Sequence, residues 1–125
     1  MLKHRCGKGT AYYLSLPLEA SLAKEPFAFD RSEAWKLYSG LKEAAGLESV
    51  VDYPDPQCER CWNPDQEGHG WLTVINHRRE AVEAGLTSSR RILAVSRIAG
   101  EAEITGTRIR LEPLQAAIFE VSLGA

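Results

Sequence analysis

Residues 107–123, TRIRLEPLQAAIFEVSL, decide the fold class of this 125-residue chain. Apolar and polar side chains alternate on both sides of a turn that contains Pro113. Such a period of two is typical of strands that bury one face and expose the other. The side chains expected to face inward are Ile109, Leu111, Ala117, Phe119, Val121 and Leu123. The segment therefore predicts two consecutive strands that share one core.

Short β-rich runs separated by turn residues precede this segment from Glu48 onward. Pro54-Asp55-Pro56 forms a stiff connector near the beginning of this region. Further strands are expected at 57–62, 71–77, near 80–84, and at 91–96. Regularly spaced short strands of this kind predict an antiparallel β-sandwich or partial barrel. Residues 48–125 are accordingly interpreted as one antiparallel β domain.

The N-terminal 47 residues have a different pattern. A Gly-Lys-Gly turn at 7–9 leads into an aromatic and apolar strand at 10–16, and apolar residues on both of its faces predict burial on both sides. One amphipathic helix follows, with Asp30 as its N-cap and Gly46 as its C′ residue. The apolar face of this helix consists of Ala34, Leu37, Tyr38, Leu41 and Ala45. Residues 1–47 are thus interpreted as a strand and helix of an α/β domain, and the whole chain as mainly β, α+β overall.

Composition excludes several classes of function. The net charge of −2 gives no reason to expect a nucleic-acid partner or binding to an anionic membrane. No apolar run approaches the length of about 18 residues that a membrane helix needs. Three cysteines are too few for a disulfide framework, which favours a reducing, cytoplasmic compartment.

Four segments, taken in order, resemble one enzyme family. They are GKGTAYYLSLPLE at 7–19, AWKLYSGLKEAAGL at 34–47, GWLTVINH at 70–77 and IRLEPLQAAIFEV at 109–121. Together they resemble the C-terminal end of the family-42 glycoside hydrolases, the bacterial β-galactosidases. Those enzymes consist of a catalytic (β/α)8 barrel, an α/β trimerisation domain and a small antiparallel β domain.

The resemblance implies a role without catalysis. Residues 1–47 would correspond to the end of the trimerisation domain, and residues 48–125 to the terminal β domain. The catalytic glutamates of the family lie in the barrel, which this sequence does not match, so no catalytic residue is assigned and no cofactor is expected. The implied function is a non-catalytic accessory and assembly domain, and the implied partner is a second copy or a larger glycoside hydrolase.

A Cys-x-x-Cys motif provides one alternative. Cys58 and Cys61 have the spacing of a zinc knuckle or redox pair, and His69 lies close enough in sequence to add a ligand. Cys6, His4 and His77 are further candidate ligands. However, the motif falls in a predicted strand, where residues three positions apart point to opposite faces. We therefore expect no metal site, and a small zinc or redox protein remains the alternative.

Two tryptophans provide a second alternative. Trp62 and Trp71 flank a polar turn, and aromatic rings can stack on sugar faces, so the chain could be a carbohydrate-binding module. The competing interpretation, which we favour, is that the two rings form a cross-strand pair that stabilises the hairpin.

The remaining polar groups are interpreted as structural. The carboxylates of the β region, Glu59, Glu67, Glu101, Glu103 and Glu120, are expected on the solvated surface. Asn76 and His77 end a strong strand, and a side chain that holds the turn toward Glu80 is expected there rather than an anion site.

Overall fold

The computed structural model describes residues 1–26, 28–65 and 69–125, and the chain divides into two compact units. The first unit is Met1–Ala34 and the second is Trp35–Ala125. The amphipathic helix at 35–44 therefore lies in the same unit as the β region, whereas the sequence analysis drew the boundary at residue 47. Among the described residues, no helix has both the length and the apolar character needed to cross a bilayer.

The first unit contains a β-hairpin and two short helices. Strand β1 (Leu2–Cys6) pairs antiparallel with β2 (Gly9–Tyr13), and the turn between them places Gly7 at a φ of 58°. Helices α1 (Leu18–Leu22) and α2 (Ala28–Arg31) follow. These elements correct the prediction for this region. The strand is the second arm of an exposed hairpin and is not buried on both faces, and the chain contains more than one helix.

Helix α3 (Trp35–Ala44) begins later than predicted. Asp30 lies inside α2, five positions before the first residue of α3, so it does not occupy the predicted N-cap position. The C-terminal prediction is confirmed: Gly46 adopts a φ of 66°, its N–H donates to Glu43 O at 2.9 Å, and Leu47 N–H donates to Lys42 O at 3.1 Å. This pair of bonds is a Schellman motif, which glycine permits because it has no Cβ. Leu37 and Leu41 of the predicted apolar face are half-buried, and no residue of α3 is fully buried.

The described part of the second unit also contains nine strands, and every pairing is antiparallel. They are β3 (Val51–Asp52), β4 (Cys58–Pro64), β5 (His69–Asn76), β6 (Val82–Gly85), β7 (Thr87–Ser88), β8 (Ile92–Gly100), β9 (Glu103–Thr105), β10 (Arg108–Leu111) and β11 (Ala116–Leu123). One sheet has the order β4-β5-β11-β8, a second has the order β6-β10-β9, and β3 pairs with β7. The predicted mainly β, α+β fold is confirmed.

The core lies between the two larger sheets. Leu72, Phe119 and Val121 of the four-stranded sheet join one cluster with Ile109 and Leu111 of the three-stranded sheet. This arrangement is sandwich-like. Strands β10 and β11 are consecutive but belong to different sheets, so residues 112–115 cross from one sheet to the other. All six side chains predicted to face inward from residues 107–123 are at most 5% exposed.

Candidate functional site

The two tryptophans lie on opposite faces of the four-stranded sheet. Trp62 is opposite Leu72 in the ladder, whereas Trp71 is opposite Asn63. Leu72 belongs to the core, so Trp62 faces inward and Trp71 faces outward. The predicted cross-strand pair is therefore wrong. A sugar platform built from both rings would need them on the same face, and the structure does not bring them together.

Trp62 has a structural position. It is half-buried against the core cluster, and its indole Nε1 is buried without a hydrogen-bond partner among the described residues. Its ring covers Gly70: a Cβ placed on that glycine would lie 2.6 Å from the Trp62 Cη2 atom and 2.6 Å from Asn63 O. The close approach of ring and backbone explains why glycine precedes Trp71.

The outer face of the four-stranded sheet exposes apolar side chains. We define it by the residues that alternate with the buried ones on β4, β5 and β11: Glu59, Cys61, Asn63, Trp71, Thr73, Ile75, Ile118 and Glu120. Trp71 is 50% exposed and Ile118 is 37% exposed. They lie diagonally across the β5–β11 ladder, within reach of each other's side chains. Asn63 and Glu120 flank Trp71 as its direct cross-strand neighbours.

The Cys-x-x-Cys motif is split across the sheet. Cys58 is 3% exposed and belongs to the core, whereas Cys61 is exposed on the outer face, as strand alternation predicted. Burial, reinforced by the negative charge of Asp55, raises the pKa of the Cys58 thiol to about 11. A thiol of this kind is a poor nucleophile and a poor metal ligand at neutral pH because both roles require the thiolate.

His69 does not form a metal-ligand set with the sulfur of Cys58 or Cys61. It lies on the same face of β5 as Thr73, which is opposite Cys61, but four residues along the strand correspond to about 13 Å. Its backbone N–H donates to the Asp65 carboxylate at 2.8 Å. Among residues 1–26, 28–65 and 69–125, no group of three histidine, cysteine or acidic side chains could hold a metal ion.

Asn76 holds the end of β5, as predicted for this position. It is completely buried, and its Nδ2 donates to Glu80 O at 2.8 Å and to Glu112 O at 3.0 Å. Its Oδ1 accepts from Arg78 N–H at 2.9 Å. The neighbouring His77 points away from this network and lies 3.0 Å from the Glu59 carboxylate on β4.

Ion pairs surround this end of the sheet. Asp52 contacts both Arg60 of β4 and Lys42 of α3, the latter at 3.7 Å. Lys42 also donates to Ser49 Oγ at 2.6 Å. Arg78 lies 3.6 Å from the Asp55 carboxylate. These contacts connect α3 to the β region, and they occupy the basic residues that could otherwise bind an anion there.

A polar cleft of about 400 Å³ lies beside the segment that crosses from β10 to β11. It is lined by Arg97, Glu101, Ala102, Glu103, Arg110, Glu112 and Gln115. Its charges are largely matched internally: Arg110 donates to Glu112 at 2.8 Å, Gln115 donates to Glu101 at 3.1 Å, and Arg97 donates to Ala102 O at 3.0 Å. Two of the five carboxylates predicted on the surface, Glu101 and Glu103, line this cleft. Glu67, another of the five, lies outside the described residues.

The sequence analysis expected a strand at 91–96, but it missed the extension of β8 to Gly100 and its place at the edge of the sheet. This strand pairs with β11 through two register shifts, so that Leu93 and Ile98 are extra residues with no partner on β11. Each is the additional residue of a β-bulge. Their side chains are 58% and 54% exposed. A signal existed in the sequence, since residues 92–100, ILAVSRIAG, are almost uncharged and are preceded by two arginines and followed by glutamates.

Comparison with protein-family models, with curated proteins and with solved structures found no match to this chain.

Proposed function

We propose that this chain is a non-catalytic accessory and assembly domain of a glycoside hydrolase of the β-galactosidase type. The family assignment comes from the resemblance of four sequence segments. The observation that carries the assembly role is the apolar outer face of the four-stranded sheet, with Trp71 and Ile118 at its centre.

A sheet with one solvated face normally alternates apolar and polar residues. On β5 the outward positions are instead Trp71, Thr73 and Ile75, and on β11 Ile118 lies between Thr73 and Ala99. Neighbouring exposed apolar side chains, bordered by polar ones, are typical of a protein-contact surface. Another domain of the hydrolase would bury Trp71 and Ile118 together.

The N-terminal hairpin supports the same role. Leu2, Tyr13 and Leu16 are 69%, 62% and 68% exposed. Within the described chain the β1–β2 sheet has two strands, and such a hairpin is at best marginally stable in water without further packing. Addition of a strand from another chain or domain would stabilise it.

The arrangement of carboxylates favours a role without catalysis. Glycoside hydrolysis requires two carboxyl groups that face each other across the scissile bond at a defined separation. In the polar cleft, Glu101 and Glu112 are instead hydrogen-bonded to Gln115 and Arg110. Glu59 pairs with His77, and Glu120 lies on the outer face beside Trp71.

An activity assay tests this proposal. The chain is incubated with nitrophenyl galactosides, and no turnover above that of buffer is expected. Activity that disappears on Glu101→Gln, Glu59→Gln or Glu120→Gln would overturn the proposal. A pull-down with a family-42 enzyme truncated before its terminal domain tests assembly, and Ile118→Glu should weaken capture while leaving the fold intact, since Ile118 is partly exposed.

A second candidate function is carbohydrate binding by Trp71 alone. The half-exposed ring lies on a sheet face, with an amide and a carboxylate as direct neighbours that could hydrogen-bond sugar hydroxyls. Tryptophan fluorescence during titration with galactose and galactan fragments separates the two functions. An unchanged spectrum is expected for the assembly domain, and a saturable change lost in Trp71→Ala would establish the binding module.

A further inference from the structure

Strand β8 forms an open edge of the four-stranded sheet. One side pairs with β11, and no strand of the described chain pairs with the other side. At nine residues, β8 is the longest strand described, and its only charged residue is Arg97. The Arg97 guanidinium donates to Ala102 O. Edge strands of natural sheets are usually short, charged, bulged or interrupted by proline, because an open edge is a template for another strand. Strand β8 has two bulges, but it is long and almost uncharged.

The two β-bulges give this edge an internal symmetry. Residues 94–97 pair regularly with residues 119–122, and the extra residues Leu93 and Ile98 lie immediately on either side of that stretch. Both are apolar and more than half exposed. The midpoint between them falls between Val95 and Ser96.

The charged residues on the two sides of β8 have opposite signs. Arg90 and Arg91 precede the strand, and Glu101 and Glu103 follow it. If two copies of β8 paired antiparallel about the midpoint, Leu93 of one copy would be opposite Ile98 of the other, and Arg90 would be opposite Glu101. Parallel pairing would instead oppose like charges, which is destabilising.

We propose that β8 is a self-association edge, which pairs antiparallel with β8 of a second copy of this chain about a two-fold axis. The inference extends the assembly role proposed above: it adds a second copy of this chain as a partner and the β8 edge as a contact surface separate from the outer face. Pairing would join two four-stranded sheets into one of eight strands and place the bulged side chains in two Leu93–Ile98 pairs, one on each side of the axis. A two-fold contact of this kind is closed, because the same edge is used by both copies, and it stops at the dimer.

Charge reversal across the two-fold axis provides the test. Arg91 is chosen because it is exposed, whereas Arg90 Nε donates to Gly124 O at 2.8 Å. Arg91→Glu and Glu101→Lys each place like charges near one another at both ends of the contact. Sedimentation velocity at micromolar concentration should show a dimer for the wild type, and each variant alone should raise the dissociation constant at least tenfold.

The two single variants, mixed in equal amounts, should form a heterodimer. At one end of the contact the introduced glutamate of one chain then meets the introduced lysine of the other, and the remaining end keeps the native arginine near the native glutamate. The double variant should also recover dimerisation. Ile98→Lys should weaken the dimer by introducing a charge at the contact. Glu59→Lys, a charge reversal at an exposed residue of β4, the opposite edge strand of the same sheet, is the matched control and should leave the dimer unchanged.

A wild-type chain that stays monomeric at tens of micromolar would overturn the inference. So would self-association that is insensitive to both charge reversals, although the assembly role would then stand, with another surface as its site. Hydrolysis of galactosides by the chain would overturn the proposed function without bearing on the β8 pairing, so the two failures are distinguishable.

Discussion

The side-chain amide of Asn76 donates a hydrogen bond to the carbonyl oxygen of Glu112, 36 positions later in the chain, at 3.0 Å. Asn76 ends β5 of one sheet, and Glu112 begins the segment that crosses from β10 to β11. The backbone N–H of Asn76 donates to Gln115 O at 2.8 Å in the same crossing segment. One buried residue thus holds the connection between the two sheets of the core.

Replacement of Asn76 by leucine should destabilise the fold by about 2–4 kcal/mol, because the change leaves buried polar groups without their partner. Those groups are the carbonyl oxygens of Glu80 and Glu112 and the N–H of Arg78. Urea denaturation measures the loss. Asn63→Leu, at an exposed position of the same sheet, is the control and should change the free energy of unfolding by less than about 0.5 kcal/mol. If Asn76→Leu lowered the free energy of unfolding no more than Asn63→Leu does, the hydrogen-bond network would contribute little to stability.

Phe119→Ala should cost about 3–5 kcal/mol, because Phe119 is completely buried at the centre of β11 and the substitution leaves a cavity. Ile118→Ala, one residue earlier on the outer face, is the matched control and should cost less than about 1 kcal/mol. Chemical denaturation of both variants provides the measurement. A near-zero change for Phe119→Ala would mean that β11 presents its other face to the core.

Strand positions and inward faces were predictable because burial on one face leaves a period of two in the sequence. That pattern correctly identified the inward residues of β10 and β11, and it separated Cys58 from Cys61. It carries no information about which strands share a sheet. Strands β10 and β11 are therefore neighbours in sequence, although they belong to different layers.

Features that depend on register or on distant partners were not predictable. Whether Trp62 meets Trp71 depends on the pairing of β4 with β5, and the observed register places Leu72 opposite Trp62. Strand β1, LKHRC, lacks an alternating apolar pattern and forms by pairing with β2. Asp30 is a residue type that often caps helices, but it lies within α2. The bulges of β8 similarly follow from its pairing with β11, which a single strand does not reveal.

The cysteines should differ sharply in reactivity toward iodoacetamide. Cys58 is buried, and its pKa of about 11 leaves on the order of 0.1% thiolate at pH 8, whereas Cys6 and Cys61 are exposed. Mass spectrometry of the native protein after brief alkylation should show label on Cys6 and Cys61 and none on Cys58. In urea all three should be labelled. Rapid labelling of Cys58 without denaturant would contradict its burial.

Alkaline pH should destabilise the β region through Cys58 and Tyr53. Burial raises the pKa of both groups, Cys58 from its ordinary 9.0 to about 11 and Tyr53 upward from 10.0. The unfolded chain therefore loses these protons at lower pH than the folded chain does. The folded state therefore has its full stability below about pH 9. As the pH rises toward 11, the free energy of unfolding declines by up to about 1.4 kcal/mol per pH unit for each group.

Denaturation between pH 8 and 11 separates the two contributions. Cys58→Ala should be less stable than the wild type at pH 8 because it leaves a small cavity, and the difference should narrow as the pH rises, since the variant lacks the buried thiol. For Tyr53→Phe, the difference in free energy of unfolding from the wild type should narrow only above about pH 10. This variant also lacks the hydrogen bond that the Tyr53 hydroxyl donates to Ile109 O. Val74→Ala, a buried change without a titrating group, should shift the whole curve by a constant amount. A Cys58→Ala curve parallel to that of the wild type would show that the buried thiol does not contribute to alkaline sensitivity.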